Sequence, residues 1–328
     1  MSELAASTPS RKRGGILLAV GIASSAFFLW LVFRNADLHE VWHALKGADL
    51  GLVLLAAVVI QGVYIAQGAR WREIADVFTL SVRRFYALVL AGIGTNNVLP
   101  LRIGDLLRAR WLATSADMPT GRALGSVFRD RVCDVIALTV ALVVSIPSVG
   151  GQRWVERIAI GGVVLLALLA MIGAGAVVYS RTRPRERARK ERGRLRRLVR
   201  DTIDEVASPI GRRRIVIALA LSFLAWGIWA VSAGLVCRSL GISLSPIELV
   251  FVTAVVNLGV VIPSSPGFIG TYQWLAVSAL AAVGVGTEVA IAFSVLVQAV
   301  WYVPTTIVGG VIGVREVHRE ATRARPAG

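Results

Sequence analysis

Six predominantly apolar stretches dominate this chain, and each is long enough to cross the hydrocarbon core of a bilayer, which takes about 20 helical residues. Charged residues make up only 17% of the 328 residues, whereas a soluble domain usually carries about a quarter. The sequence therefore predicts an all-α polytopic membrane protein. The six predicted full spans are 15–33, 50–68, 121–147, 157–180, 215–237 and 287–314.

Two further apolar stretches, 85–112 and 246–283, are each interrupted by Pro and Gly. If each enters and leaves the membrane on one side as a re-entrant helical hairpin, six true crossings remain and both termini share a side. With the N-terminus in the cytoplasm, 31 of the 36 Lys and Arg residues lie on the cytoplasmic side. This asymmetry follows the positive-inside rule. It predicts a multi-pass protein of the cytoplasmic (inner) membrane with both termini cytoplasmic.

The segment 181–214 is the one clear change of composition, with 14 basic residues. Its apolar residues recur at roughly helical spacing, which predicts a basic amphipathic helix on the anionic lipids of the inner leaflet. A solvated connector is the alternative. The Lys and Arg residues behind the net charge of +16 concentrate on one side of the membrane, so a nucleic-acid partner is not expected. The apolar residues are Leu195, Leu198, Val199, Ile203 and Val206.

A short pattern, Pro-x-x-Ile-Gly, occurs once in each interrupted stretch, at 100–104 and at 266–270. Each copy has an Asn shortly before it, and each follows two full spans and precedes the next. The two halves start on opposite sides of the membrane, so the sequence predicts an inverted-topology repeat. In transporters, paired interrupted segments of this kind mark a substrate site at the repeat interface.

The resulting domain organisation has five parts. A basic cytoplasmic N-terminus (1–14) precedes the first membrane repeat together with the start of the second (15–180, hairpin 85–112). The cytoplasmic amphipathic segment (181–214) leads to the remainder of the second repeat (215–314, hairpin 246–283). A cytoplasmic tail (315–328) follows.

The interrupted stretches carry residues suited to an anion. Irregular backbone at membrane depth is tolerated only where it lines a cavity or is buried in protein. Half-helix N-termini favour an anion such as phosphate, and Arg102 adds a bidentate phosphate ligand. Ser264 and Ser265 add hydroxyl groups without charge.

The third span begins with more ionic residues than lipid tolerates. Ionisable residues within spans usually face the bundle interior and pair with one another. We expect Asp130, Arg131 and Asp134 to form a network with Arg102, Asp105 or Arg108. The alternative is that Arg129 and Arg131 only extend to the inner interface. The predicted substrate-binding residues are Asn97, Pro100, Arg102, Gly104, Asp105, Arg108, Arg129, Asp130, Arg131, Asp134, Asn257, Ser264, Ser265, Pro266, Gly267 and Gly270.

These motifs resemble the lysylphosphatidylglycerol synthase transmembrane-region family, the flippase-like membrane domain also found in the multiple peptide resistance factor. The resemblance runs from about 15 to 315 and is carried by the motifs at 97–108, 130–134 and 266–270. Asp105 and Asp130 stand where the family more often or commonly has Glu. The resemblance implies a lipid flippase or transporter for an anionic, aminoacylated or polyprenyl-phosphate-linked lipid.

Full synthases of this family carry a soluble aminoacyl-transfer domain after the membrane region, and only 14 residues follow the last predicted span here. We therefore expect this chain not to be an enzyme. We also expect no metal and no cofactor, while a homodimer stays open. The Arg- and Ala-rich composition suggests a high-GC bacterium.

Two alternative functions stay open. One is a membrane-embedded glycosyl or phosphoryl transferase acting on a lipid-phosphate carrier, with a divalent metal held by Asp105, Asp130 and Asp134. The other is an accessory scaffold subunit recruited through 181–214. The scaffold alternative predicts that the hairpin residues tolerate substitution.

Overall fold

The computed structural model describes residues 23–34, 36–99, 103–150, 153–182, 193–259 and 266–323, and no strand occurs among them. Most of these residues are helical. In chain order the helices are α1 (Ala23–Phe33), α2 (Leu38–Gly47), α3 (Leu50–Val59), α4 (Gln61–Ala75), α5 (Val82–Val98), α6 (Ile103–Ala116), α7 (Thr120–Ser145), α8 (Arg153–Thr182), α9 (Arg194–Ala207), α10 (Arg212–Ser239), α11 (Pro246–Gly259), α12 (Thr271–Ala282) and α13 (Thr287–Arg323).

Five helical segments within the described ranges are long and apolar enough to cross a membrane. They coincide with five of the six predicted spans, so the all-helical, multi-pass class is confirmed. The sixth predicted span, 15–33, begins outside the described residues, and α1 covers only its second half. The five segments are Leu50–Ala75, Thr120–Val149, Arg153–Thr182, Arg212–Ser239 and Thr287–Thr322.

Several of these helices begin at a side chain that caps their first turn. The Asp49 carboxylate accepts hydrogen bonds from the backbone N–H groups of Gly51 and Leu52, at 2.8 and 3.2 Å. Ser81 caps α5 in the same way through the N–H of Arg84. Short polar side chains before an apolar run satisfy the free N–H groups of the first turn, which fixes the helix start.

Both interrupted stretches break where the sequence predicted. In the first, the described helices α5 and α6 pack closely. A Cβ on Gly104 would lie 2.0 Å from the carbonyl oxygen of Gly92, so only glycine fits there. In the second, α11 ends at Gly259 and α12 begins after Gly270, where Gly267 and Gly270 have positive φ angles of 72° and 90°.

Helices α5 and α13 pack through glycine as well. A Cβ on Gly309 would lie 2.1 Å from the carbonyl oxygen of Leu90, and one on Gly94 would lie 2.7 Å from that of Thr305. Small residues let membrane helices approach this closely. The Asn97 side chain then donates hydrogen bonds to the hydroxyl groups of Thr305 and Thr306, at 3.0 and 2.9 Å.

Helix α13 continues past its predicted end. The sequence predicted a span to residue 314 and a separate tail, whereas one helix runs from Thr287 to Arg323. The Arg84 guanidinium group contacts both carboxylate oxygens of Glu316 at 2.6 Å, which ties α5 to this last part of α13. The described part of the predicted tail is therefore attached to the helical bundle.

Helix α9, the predicted amphipathic helix, packs on the start of α7. Gly121 and Gly125 allow the contact, since a Cβ on either would lie under 3 Å from atoms of α9. Arg129 contacts the Glu205 carboxylate at 3.0 Å and also donates to the carbonyl oxygen of Ser208. On its outer side Leu195 is 72% exposed. Contact of α9 with inner-leaflet lipids stays a prediction.

Candidate functional site

A buried arginine on α4 organises the ionic residues of α7. The Arg70 guanidinium group contacts Asp130 at 2.7 Å and both oxygens of Asp134 at 2.6 and 3.1 Å. It also donates to the Ser222 hydroxyl on α10, and the Trp226 indole N–H donates to Asp134. Arg70 and Asp130 are 0% and 1% exposed. Three helices are thus joined by one buried charged group.

A second arginine, Arg108 on α6, extends the network. Its guanidinium group lies 3.3 Å from Asp130 and 3.1 Å from Asp105, and it stacks 4.7 Å above the Trp71 ring. Arg108 is only 3% exposed. Its charge is therefore compensated inside the protein by two carboxylates and an aromatic face.

The third arginine, Arg131 on α7, lies at the exposed edge of the network. It contacts Asp105 at 2.7 Å and Asp134 at 3.5 Å, while its side chain stays 43% exposed. Among the described residues, the network contains three guanidinium groups and three carboxylates. The one arginine of these three with substantial exposure is Arg131.

A cavity of about 340 Å³ opens beside this edge. The lining residues of α4, α7, α10 and α13 lie near the middle of four membrane-spanning segments, far from their ends. A cavity at this depth can hold a polar group inside the membrane. Its lining consists of Val63, Tyr64, Gln67, Ile93, Asn96, Asn97, Asp105, Arg131, Asp134, Val135, Leu138, Trp226, Trp229, Asn257, Leu258, Phe268, Tyr272 and Trp301.

Both interrupted stretches contribute to this lining. The first supplies Asn96, Asn97 and Asp105, and the second supplies Asn257, Phe268 and Tyr272. Asn96 also accepts a hydrogen bond at 2.8 Å from a backbone N–H group at the start of α6. The two breaks predicted from the sequence therefore meet at one cavity.

The predicted network is present, and its members divide into two groups. Asp105, Arg131 and Asp134 line the cavity together with Asn97 and Asn257. Asp130 and Arg108 belong to the network but lie behind the cavity wall.

Other predicted residues have structural surroundings. Gly104 packs on Gly92. A Cβ on Gly267 would lie 2.7 Å from the Tyr302 ring, and one on Gly270 would lie 2.4 Å from a backbone oxygen of α1. Pro266 begins a short 3-10 turn. The predictions for Pro100, Arg102, Ser264 and Ser265 lie outside the described residues.

Arg129, a predicted substrate-binding residue, contacts a helix outside the cavity, and its binding role stays a prediction. Arg129 follows α7 one residue before Asp130, yet it contacts Glu205 on α9 and does not line the cavity. The alternative, that the Arg129 side chain only extends to the inner membrane interface, does not predict this contact either. Consecutive helical residues point about 100° apart, so neighbours in sequence meet different helices.

Sequence reasoning missed Arg70 and the aromatic residue Trp226. Arg70 lies two residues beyond the predicted span 50–68, where an arginine resembles an ordinary interfacial charge. Helical periodicity was the available signal, because Val63, Gln67 and Ile74 share the Arg70 face of α4. All three are buried, so that face points into the bundle.

The carboxylates of the network are occupied by arginines. Within the described ranges, no group of three His, Cys, Asp or Glu side chains has an arrangement that could hold a metal ion. Asp105, Asp130 and Asp134 each contact at least one guanidinium group instead. The metal-holding alternative for these residues therefore has no support in their geometry.

The architecture and the sequence together agree with one known family. The family described as Lysylphosphatidylglycerol synthase TM region matches residues 16–309. The chain belongs to this family. The match covers both interrupted stretches, the ionic start of α7 and the helices that line the cavity.

Curated relatives of this family member come from archaea. A UPF0104 membrane protein of Methanothermobacter thermautotrophicus is 23% identical over 87% of this chain and 90% of its own length. Another, from Methanocaldococcus jannaschii, is 22% identical with the same coverage. The bacterial origin expected from composition stays a prediction.

A third relative corrects one expectation. Glycosyltransferase AglD of Haloferax volcanii is 27% identical across an alignment that covers 90% of this chain and 54% of that protein. The chain thus spans about half the length of this relative. The expectation that the chain is not an enzyme is overturned, because a relative across nine-tenths of it is named a glycosyltransferase.

Proposed function

We propose that this family member binds the phosphate-bearing headgroup of a lipid in the cavity and moves that lipid across the cytoplasmic membrane. The observation that carries the proposal is the position of the cavity. It lies near the middle of four spanning segments, where both interrupted stretches meet. Substrate sites of transporters lie at this depth, between discontinuous helices.

Arg131 is the proposed phosphate ligand. It is the half-exposed arginine of the network and it lines the cavity. Asp105 lies in the first turn of α6 and also lines the cavity, so the positive end of the α6 dipole is close by. The phosphate-binding role predicted for Arg102 from the sequence is retained as part of the proposal.

Arg108, also among the predicted substrate-binding residues, is not proposed as a phosphate ligand. Arg108 is 3% exposed and stacks on Trp71, so a ligand in the cavity cannot reach its guanidinium group without rearrangement. Instead, Arg108 positions Asp105, and Asp105 in turn positions Arg131.

The proposed topology has six full spans, two re-entrant hairpins and an inverted repeat, with both termini in the cytoplasm. The distribution of Lys and Arg supports this sidedness. The meeting of both interrupted stretches at one cavity supports the repeat. Transport would proceed by rocking of one repeat against the other. The candidate lipids are anionic, aminoacylated or polyprenyl-phosphate-linked.

A second function is favoured by the relative named Glycosyltransferase AglD. In this function the chain is a membrane-embedded part of a transferase that acts on a lipid-phosphate carrier. The same cavity would then hold the carrier for group transfer. Translocation and transfer both require a lipid phosphate beside Arg131. The two functions are therefore distinguished by the product that forms.

The test is a reconstituted translocation assay. Purified full chain is placed in liposomes with fluorescent phosphatidylglycerol, lysyl-phosphatidylglycerol or a polyprenyl phosphate, each tested separately. We expect protein-dependent movement of at least one lipid. Arg131→Ala should slow it about tenfold or more, since a charge-assisted phosphate contact is lost. Arg131→Lys should retain part of the rate, because the charge remains and the fork is lost.

The matched control is Arg110→Ala. Arg110 is also an arginine of this region, but its side chain is 61% exposed and pairs with Glu320, away from the cavity. Its rate should match that of the wild-type protein. Equal rates in the wild type, Arg131→Ala and protein-free liposomes would overturn translocation. A search for a lipid-linked product would then test the transferase function.

A further inference from the structure

Helix α9 has an apolar side that the described bundle leaves uncovered. Leu195 is 72% exposed and Val199 is 50% exposed. The two residues are four positions apart, so they lie one turn apart on the same side of the helix. Exposed apolar side chains on a helix that also carries several arginines are typical of a helix that lies at a membrane–water interface.

The acidic residues of α9 do not share this side. Glu205 is buried against two arginines of α7, and Asp201 pairs with its neighbour Arg200 at 2.7 Å. The third acidic residue, Asp204, is exposed, but it follows Leu195 by nine positions. Nine helical residues turn the chain by about 180° from its starting side. No carboxylate of α9 is therefore both free and directed to the apolar side, where it would repel an anion.

Arginines supply the free positive charge in this region. Arg196 and Arg197 are exposed, and so are Arg212 and Arg213 at the start of α10. None of these four makes an ion pair within the described ranges. Arg196 lies about 60° around the helix from Val199, directly beside the apolar side. Free cations next to an apolar face match anionic headgroups above a hydrocarbon layer.

The packing of α9 places it at the ends of spanning segments. Its contacts with α7 fall at Gly121 and Gly125, within the first two turns of the spanning segment Thr120–Val149. It also packs on α8. The spanning helix before it ends at Thr182, and the one after it begins at Arg212. The membrane surface lies at such ends, so the uncovered side of α9 is at the level of the lipid headgroups.

We propose that α9 docks through this side on the adjacent leaflet, and that anionic lipids are its partner. Leu195 and Val199 enter the lipid to a depth of about 5–10 Å, as the apolar face of an interfacial helix does. Arg196 and Arg197 attract the lipid phosphates, and this attraction acts over about 10 Å at about 0.1 M salt. The docking surface is separate from the cavity. Under the proposed topology the leaflet is the inner one.

Docking also tethers α7 to the lipid surface. Glu205 of α9 holds Arg129 at 3.0 Å, and Arg129 directly precedes Asp130 of the buried network. The same helix carries Arg131 at the cavity. Helix α9 therefore joins the lipid surface to a helix that lines the cavity, through glycine contacts and ion pairs.

Site-specific fluorescence on the full chain tests the docking. Cys133 and Cys237 are replaced by Ala, and Val199→Cys or Asp204→Cys then carries an environment-sensitive dye. The protein is placed in nanodiscs of phosphatidylcholine, with or without phosphatidylglycerol, that contain a lipid quencher near the headgroup. We expect the dye at Val199 to be quenched at least about twofold more with phosphatidylglycerol, since its charge attracts the arginines. The dye at Asp204 points away from the lipid and should be unquenched in both mixtures.

The role of the charge is tested by Arg196→Gln together with Arg197→Gln, which leaves the apolar side intact. This double variant should lower the ratio of docked to free α9 about tenfold or more, because each arginine near an anionic surface contributes about fivefold. Arg110→Gln together with Arg319→Gln is the matched control. It removes the same charge from exposed arginines of α6 and α13, so quenching at Val199 should be unchanged.

Three results would overturn the inference. They are an unquenched dye at Val199 in both lipid mixtures, equal quenching in the two mixtures, and undiminished quenching in the Arg196 and Arg197 double variant. An unquenched dye that is already shielded from water in detergent would assign the apolar side to a protein contact, such as a second copy of the chain. The readout involves neither translocation nor Arg131, so this inference and the proposed function can fail separately.

Discussion

The guanidinium group of Arg70 contacts both carboxylate oxygens of Asp134, at 2.6 and 3.1 Å, across 64 residues of sequence. The same group contacts Asp130 one turn earlier on α7 and the Ser222 hydroxyl on α10. Arg70 is fully buried, so these side chains take the place of water around its charge. The cavity wall is built on this pairing.

Breaking the pair from one side should destabilise the protein. We expect Arg70→Gln to lower the free energy of unfolding by about 3–5 kcal/mol, because two buried carboxylates lose their nearest guanidinium partner and keep only the longer contacts to Arg108 and Arg131. Asp134→Asn should also destabilise. The double variant should be less destabilised than the sum of the two, since the unpaired charges are removed together. Thermal unfolding in detergent measures this, and strict additivity would contradict the pairing.

The contact between α5 and α13 depends on one of two adjacent glycines. Gly309→Ala places a Cβ 2.1 Å from the Leu90 carbonyl oxygen, so we expect a loss of about 1–3 kcal/mol. Gly310→Ala meets no atom within 4 Å and should be neutral, or stabilising by up to about 1 kcal/mol. Melting temperatures of the two variants test this, and equal values would show that the helices are not in close contact.

The attachment of α9 should depend on Glu205. Glu205→Gln removes the charge that pairs with Arg129 and Arg122, so α9 should separate from α7 more often. Trypsin should then cleave within 181–214 faster than in the wild type. Asp204→Asn changes the same charge at a neighbouring exposed position and should leave the cleavage rate unchanged. Equal cleavage of both variants would argue against the Glu205 contact.

The proposed sidedness can be tested by labelling single cysteines. The two free cysteines, Cys133 and Cys237, are first replaced by Ala. In intact cells, a membrane-impermeant maleimide should label Gly47→Cys and spare Arg196→Cys until the membrane is opened. Gly47 meets no atom within 4 Å, so the substitution is tolerated there. Labelling of Arg196→Cys in intact cells would show that the topology is the reverse of the one proposed.

Local sequence patterns predicted much of the molecule. Apolar length located five spans, and Pro with Gly located both breaks, because these residues act on the backbone of their own segment. The spacing of Asp130, Arg131 and Asp134 also predicted an ionic network with Arg102, Asp105 or Arg108, and the described residues show it with Asp105 and Arg108. Each of these signals arises within about one helical turn or one span.

Only the tertiary structure decided which side chains meet. Arg70 resembled an interfacial charge, but α7 and α10 supply its partners and place it in the bundle. Arg129 resembled Arg131, but Glu205 of α9 binds the first and the cavity exposes the second. An arginine carries the same charge in both settings. Its partner depends on how the helices pack together. Close glycine contacts, such as Gly104 on Gly92, determine that packing, and local periodicity carries no information about it.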